Sequence, residues 1–182
     1  MNHLKNAIIV TSMLLSPMLA FSQASKNITL DSSAVQIVAD MKLGINLGNT
    51  FEAVDSGIGA TGGWVLRTQE QFETAWGSPV ITKEMISGYA KAGFTTLRVP
   101  VAWTNCMSED GLYTISPNVV ARVKAVTDWA LSEGMYVIIN EHWDYGWINK
   151  EFIANKDEAM KKYSAIWSQV SQAFKDYGVQ VI

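Results

Sequence analysis

Glu141, His142 and Asp144 fall within four consecutive positions, with Asn140 before them and Trp143 and Trp147 interleaved. Two carboxyls and an imidazole this close can transfer protons if the backbone lets them converge on one substrate. A fixed cation, Arg98, sits between Leu97 and Val99, a setting unusual for an arginine that only faces solvent or makes a surface ion pair. Of seven tryptophans, Trp64, Trp76, Trp103, Trp143 and Trp147 stand in or beside connecting segments, and Trp129 and Trp167 lie in stretches of helical spacing, where they read as packing residues. A flat amphipathic ring binds a ligand at low entropic cost. The same ring fills a core as readily, so each of the first five reads either way. The single cysteine, Cys106, and the scarcity of histidine (His3 and His142) leave no Cys/His zinc cluster and no intrachain disulfide.

These groups have to be held by backbone, and the hydrophobic pattern switches repeatedly between strand and helix periods. A short helix is expected over residues 31–40, opened by Asp31-Ser32-Ser33, with Ala34, Ile37 and Val38 at helical spacing to cover a sheet's floor. Residues 42–46 read as the first strand. A connection of about thirty residues follows, with a local helix within 68–76. From Thr82, Met85, Ile86, Tyr89 and Ala90 share a helical face that Gly93 stops. Residues 94–99 form the second strand, which Pro100 is expected to end for want of an amide hydrogen. Ser116-Pro117 starts a helix carrying Val119, Val123, Val126 and Ala130, closed by Gly134. Residues 135–140 are a strand apolar enough to be covered on both faces. A further helix is expected from Asp157 through Ala159, Tyr163, Ile166, Val170, Ala173 and Tyr177 to Gly178, and 179–182 start a fourth strand.

Strand and helix in strict alternation indicate a parallel sheet with crossover helices. The expected fold is α/β, the N-terminal half of a (β/α)8 TIM barrel, truncated at the start of its fourth strand. A closed barrel takes about 250 residues, and this chain has 182. In such a barrel the functional groups lie just past the C-terminal ends of the strands and share one mouth. That rule selects residues 46–52, 98–105 and 140–147.

Three segments at these strand ends resemble glycoside hydrolase family five, the cellulase-type barrel enzymes. They are Gly44-Ile45-Asn46-Leu47-Gly48-Asn49-Thr50-Phe51-Glu52-Ala53, then Gly93-Phe94-Thr95-Thr96-Leu97-Arg98-Val99-Pro100-Val101-Ala102-Trp103, then Gly134-Met135-Tyr136-Val137-Ile138-Ile139-Asn140 leading to His142. The likeness covers nearly all of residues 40–182, including the stretch from Ile166-Trp167 to Phe174-Lys175-Asp176-Tyr177. It implies a retaining, endo-β-1,4-glucanase-like hydrolase acting on β-glucans such as cellulose, with no metal or cofactor. Arg98 would lie beside the nucleophilic carboxylate and favour its ionised form, and His142 would contact the sugar at the cleavage subsite. Asn46, Asn49, Trp103, Trp143, Asp144 and Trp147 would bind substrate or support those residues. Trp143 departs from the family, which often has a second histidine there; an indole can stack on a pyranose but cannot transfer a proton. The family's acid/base, the glutamate of an Asn-Glu-Pro motif after the fourth strand, and its nucleophile, a glutamate after the seventh, match no position here. Glu141 and Asp144 could reach the carboxyl separation of about 5–5.5 Å for retention or about 6.5–9.5 Å for inversion. The family pattern uses neither as acid or nucleophile and leaves them to orient neighbours. The chain alone is therefore expected to be inactive. A different class of reading is a non-catalytic carbohydrate-binding or half-barrel interaction protein that self-associates through open sheet edges.

Residues 1–22 read as an export signal. Lys5 supplies the charge, residues 7–19 an apolar stretch broken by Thr11, Ser12, Ser16 and Pro17, and Ala20-Phe21-Ser22 a cleavage site used after Ser22. The apolar run is shorter than the roughly 20 residues of a membrane span, so no stable anchor is expected and the protein is placed as secreted or periplasmic. Residues 23–182 then form the partial barrel domain. A net charge of -3 with no basic patch argues against nucleic acid. The expected partner is a β-linked polysaccharide or oligosaccharide.

Overall fold

Parallel pairing organises the chain: β1 (Gly44–Asn46), β2 (Thr96–Val101) and β3 (Tyr136–Glu141) lie side by side in that order. Asn46 stands opposite Arg98, and Arg98 opposite Ile138. The computed structural model describes residues 34–53, 69–108 and 110–182. The expected leader, the opening turn 31–33 and Trp64 lie outside the described residues. Past β3, Val181 bridges Val137 in parallel, and Val137 N and Ile139 N donate to Gln180 O and Ile182 O at 2.7 and 2.8 Å. The fourth strand is thus in place as a single bridge. Each strand lies beside its predecessor, the order in which a barrel opens, whereas a doubly wound sheet reverses at a switch point.

β2 continues past Pro100, where the sequence predicts its end. In a parallel ladder alternate residues bond to alternate neighbours. Arg98 O accepts from Leu47 N at 2.8 Å on the β1 side, and Val101 O accepts from His142 N at 3.0 Å on the β3 side. Pro100 shares the parity of Arg98, so its missing N–H faces the side where β1 has already ended at Asn46. No ladder bond is lost there.

The helices follow the apolar stripes, with corrections at α1, at the start of α4 and in the last helical region. α1 (Ala34–Met41) buries none of its residues, so the expected floor-covering face is not formed; it is tied to the sheet through Met41 O, which accepts from the Thr95 and Thr96 hydroxyls at 2.6 and 2.7 Å. α2 (Gln69–Thr74) lies in the long connection, as expected. α3 (Lys83–Lys91) is capped by the Thr82 hydroxyl, which accepts from Met85 N at 3.3 Å. α4 (Pro117–Ser132) buries Val119, Val123, Val126, Thr127 and Ala130; Ser116 makes no side-chain cap bond, so its start rests on the proline. Gly93 (φ 96) and Gly134 (φ 76) take the left-handed turns predicted for them. The last predicted helix is α6 (Lys156–Phe174), which starts where expected, behind the extended Asn155 (φ -155), whose side chain caps it by accepting from Glu158 N at 3.2 Å; α5 (Trp147–Ala154), on the other side of Asn155, has no counterpart among the predicted helices. α6 buries Ala159, Ile166 and Val170, leaves Tyr163 exposed, and ends at Phe174 rather than at Tyr177.

One buried ion pair ties α2 to α4. Glu73, fully buried, accepts from Arg122 Nε at 2.7 Å, Arg122 Nη2 at 3.1 Å and Ile81 N at 2.7 Å. Arg122 also donates to Ile81 O and lies 4.9 Å from the Trp129 ring centroid. Removing one partner strands the other charge in a dry setting. Glu73→Ala is expected to destabilise the fold by about 3–5 kcal/mol in a denaturant titration. A loss below about 1 kcal/mol, the range of an exposed pair, would contradict this role.

Candidate functional site

Alternation along each strand sorts the site residues onto two faces. By register, Asn46, Arg98 and Asn140 share one face, and Leu97, Val99, Val101, Val137, Ile139 and Glu141 the other. Leu97, Val99, Val101 and Val137 are wholly buried, so the second face is the one packed in the core. On the first face Arg98 Nη1 donates to Asn46 Oδ1 at 3.3 Å, and Arg98 Nη2 lies 3.1 Å from His142 Nδ1. A guanidinium only donates. Nδ1 therefore accepts, and the neutral ring carries its proton on Nε2. Three of the predicted residues, Asn46, Arg98 and His142, are thus joined across the ends of three strands. The assembly offers a fixed cation, which favours the ionised form of a carboxylate brought beside it, and an imidazole N–H for a hydroxyl.

The turn after β1 flanks this trio. Asn49 has φ 58, a left-handed conformation that asparagine tolerates. Glu52, buried, accepts from Asn49 N at 2.7 Å and Thr50 N at 3.0 Å, and Phe51 O accepts from Ala102 N at 3.0 Å at the exit of β2. The exposed Asn49 side chain makes no hydrogen bond to Asn46, Arg98 or His142 among the described residues. Glu52 was not singled out from the sequence. An acid just after Gly48-Asn49-Thr50, able to reach back to the turn's amides, was the available signal.

The tryptophans that read either way now separate. Trp103, in a 3-10 turn over Trp103–Cys106, is 0% exposed, and Trp147, the first residue of α5, is 6% exposed. Both belong to the core, so neither offers a ring to a ligand. Trp143 is 63% exposed and Trp76 is exposed as well. Trp129 and Trp167 are half-buried on α4 and α6, where they pack against the core.

Asp144, 1% exposed, accepts from Thr104 N through Oδ2 at 2.6 Å, which links the exits of β2 and β3. Glu141 Oε1 accepts from Trp147 Nε1 at 2.9 Å. Burial, then the neighbouring Asp144 charge, pushes the Glu141 carboxyl up to about 8. Burial also raises Asp144. Neither carboxyl opens toward Arg98, so they are not an acid/base pair for a substrate at the mouth. All three carboxyls of the strand-end segments, Glu52, Glu141 and Asp144, are engaged within the protein.

The sequence model of the cellulase family, glycosyl hydrolase family 5, matches residues 58–182. The chain is 35% identical over 176 residues to endoglucanase B of Clostridium cellulovorans, covering 97% of this chain and 36% of that protein. It is 38% identical over 148 residues to the xyloglucan-specific endo-beta-1,4-glucanase of Bacteroides ovatus, covering 81% and 28%. It therefore spans roughly a third of the length of these relatives. Among solved structures it is similar to a GH5-4 broad specificity endoglucanase from Clostridium longisporum (TM-score 0.73, 35% identity, 82% of this chain and 41% of that one). It is also similar to one from Ruminococcus champanellensis with bound cellotriose (TM-score 0.72, 34% identity, 83% and 42%).

The sorting of the tryptophans is open to test. Trp103→Ala is expected to cost about 3–5 kcal/mol of stability, and Trp143→Ala about 0.5 kcal/mol, both by denaturant titration. Equal costs would refute the division into core and surface rings.

Proposed function

The chain belongs to glycosyl hydrolase family 5, and we propose that the whole protein is an endo-β-1,4-glucanase that retains anomeric configuration, with Asn46, Arg98 and His142 supplying substrate contacts. The observation that carries this reading is Arg98 joined to Asn46 at 3.3 Å and to His142 at 3.1 Å across three strand ends. The names of the relatives support the activity, and two similar solved structures hold cellotriose.

Retaining hydrolysis needs one carboxyl to protonate the glycosidic oxygen and another to attack the anomeric carbon. Those at the described strand ends are bound into loops, so both reagents come from other parts of the barrel. Arg98 lies beside the attacking carboxylate and keeps it ionised. His142 Nε2–H donates to a sugar hydroxyl, and the exposed Trp143 indole packs on a pyranose face. Export on the predicted leader suits a polymeric substrate outside the cytoplasm.

The purified chain is expected to bind cellotriose and release no reducing ends. Arg98→Ala and His142→Ala should each weaken binding about tenfold in calorimetric titration, the loss of a hydrogen bond of about 1.4 kcal/mol. Hydrolysis by the chain alone, or binding indifferent to both substitutions, would overturn this reading.

A further inference from the structure

We propose that Glu141 and Asp144 hold one proton between them, and that this buried clasp fixes the turn presenting His142 and Trp143. Its value for sugar contact rests on the function proposed above, whereas the clasp itself does not.

The turn needs something to hold it. Trp143 (φ 28) and Asp144 (φ 45) are consecutive non-glycine residues in the left-handed region, which L side chains rarely adopt. Two carboxyls anchor its ends. Asp144 Oδ2 takes the Thr104 amide at 2.6 Å on the exit of β2, and Glu141 Oε1 takes the Trp147 indole N–H at 2.9 Å on α5. The remaining oxygens, Glu141 Oε2 and Asp144 Oδ1, are buried and accept no hydrogen bond from another side chain or amide among the described residues. Two ionised carboxylates side by side would repel, and their buried lone pairs would go unsatisfied. A single proton removes both problems, with Glu141 Oε2–H donating to Asp144 Oδ1.

Glu141 is the partner that keeps the proton. Burial and the Asp144 charge both disfavour its ionised form, whereas Asp144 is relieved by the Thr104 amide and by Lys162. Among the described residues, Lys162 on α6, 4.6 Å from the Trp147 ring centroid, is the cation whose charge reaches Asp144, and it is itself paired with Glu151 on α5 at 2.8 Å. The exit of β2 presents backbone amides, and Arg98 lies on the opposite face of the sheet. Glu141 and Asp144 touch no substrate in this scheme. They are positioning residues.

The sign of the pH effect follows. Between 4.5 and about 8 the unfolded chain has lost the Glu141 proton that the native chain retains, so stability falls as pH rises through that window. Above it, two carboxylates face each other and the turn loses its closure.

Carbon-detected NMR of the whole chain, labelled at its glutamate and aspartate carboxyls, tests the proposal. One carboxyl should remain protonated at neutral pH and titrate near about 8, and this transition should vanish in Glu141→Gln. The glutamine amide can donate to Asp144 while its oxygen keeps the Trp147 bond. In that variant the 142–144 amides and the Trp143 indole should stay in place above the transition, whereas in the wild type they move with it. Glu141→Ala should displace those signals at every pH; if it fails to fold, the wild-type and Glu141→Gln titrations decide alone. An ionised Glu141 at neutral pH, or turn signals indifferent to its titration, would overturn the clasp. No sugar enters the experiment, so its failure is separate from failure of the glucanase reading.

Discussion

The register of the parallel sheet is the constraint from which the placement of every functional side chain descends. One step along a strand reverses the face, and a slip of one residue would exchange the faces wholesale. Leu97, Val99, Val101 and Val137, all wholly buried, fix that register by the apolar area they withdraw from water. Arg98 stands on the open face because its two neighbours in sequence cannot. The same parity sends Glu141 to the packed side, though it lies next to His142 in sequence. Hydrophobic burial, with no catalytic content of its own, thus decides which polar groups meet at the strand ends.

Much of this was legible from local pattern. The stripes at Met85 and Ile86, at Val119 to Ala130 and at Ala159 to Val170 correspond to helices with buried faces at Ile86, Val119, Val123, Val126, Ala130, Ala159, Ile166 and Val170. What escaped depended on partners distant in sequence. Pro100 could stay inside β2 only because β1 is short, which no property of the β2 segment reveals. The pairing of Glu73 with Arg122 spans 49 positions and leaves no local trace. The start of α6 behind Asn155 was readable, since asparagine with an acidic turn after it is a cap, whereas α5 before it escaped. The face of Glu141 was readable too, by counting in twos from Val137 and Ile139. Trp103 and Trp143 could not be told apart by residue type. One follows β2 into the core and the other rides a turn the backbone has twisted outward.

Three glutamates, two buried and one half-buried, illustrate how surroundings divide the work of one functional group. Glu73 meets a guanidinium and a backbone amide and joins helices. Glu52 meets two amides of its own turn and shapes a loop. Glu141 meets an indole and another acid, the one environment of the three in which keeping a proton solves the crowding.

The turn at Trp143 and Asp144 has a bearing on engineering. Both residues have positive φ, which strains a side chain more than glycine, so glycine at either site would lessen the local strain. At 143 that change deletes the outward indole; at 144 it deletes the carboxylate that holds the exits of β2 and β3 together. A screen for heat tolerance that ignores ligand binding would drift toward erasing the indole at 143. Durability and grip compete at that position, whereas at 144 relief of backbone strain is set against loss of the carboxylate, and both are terms of stability.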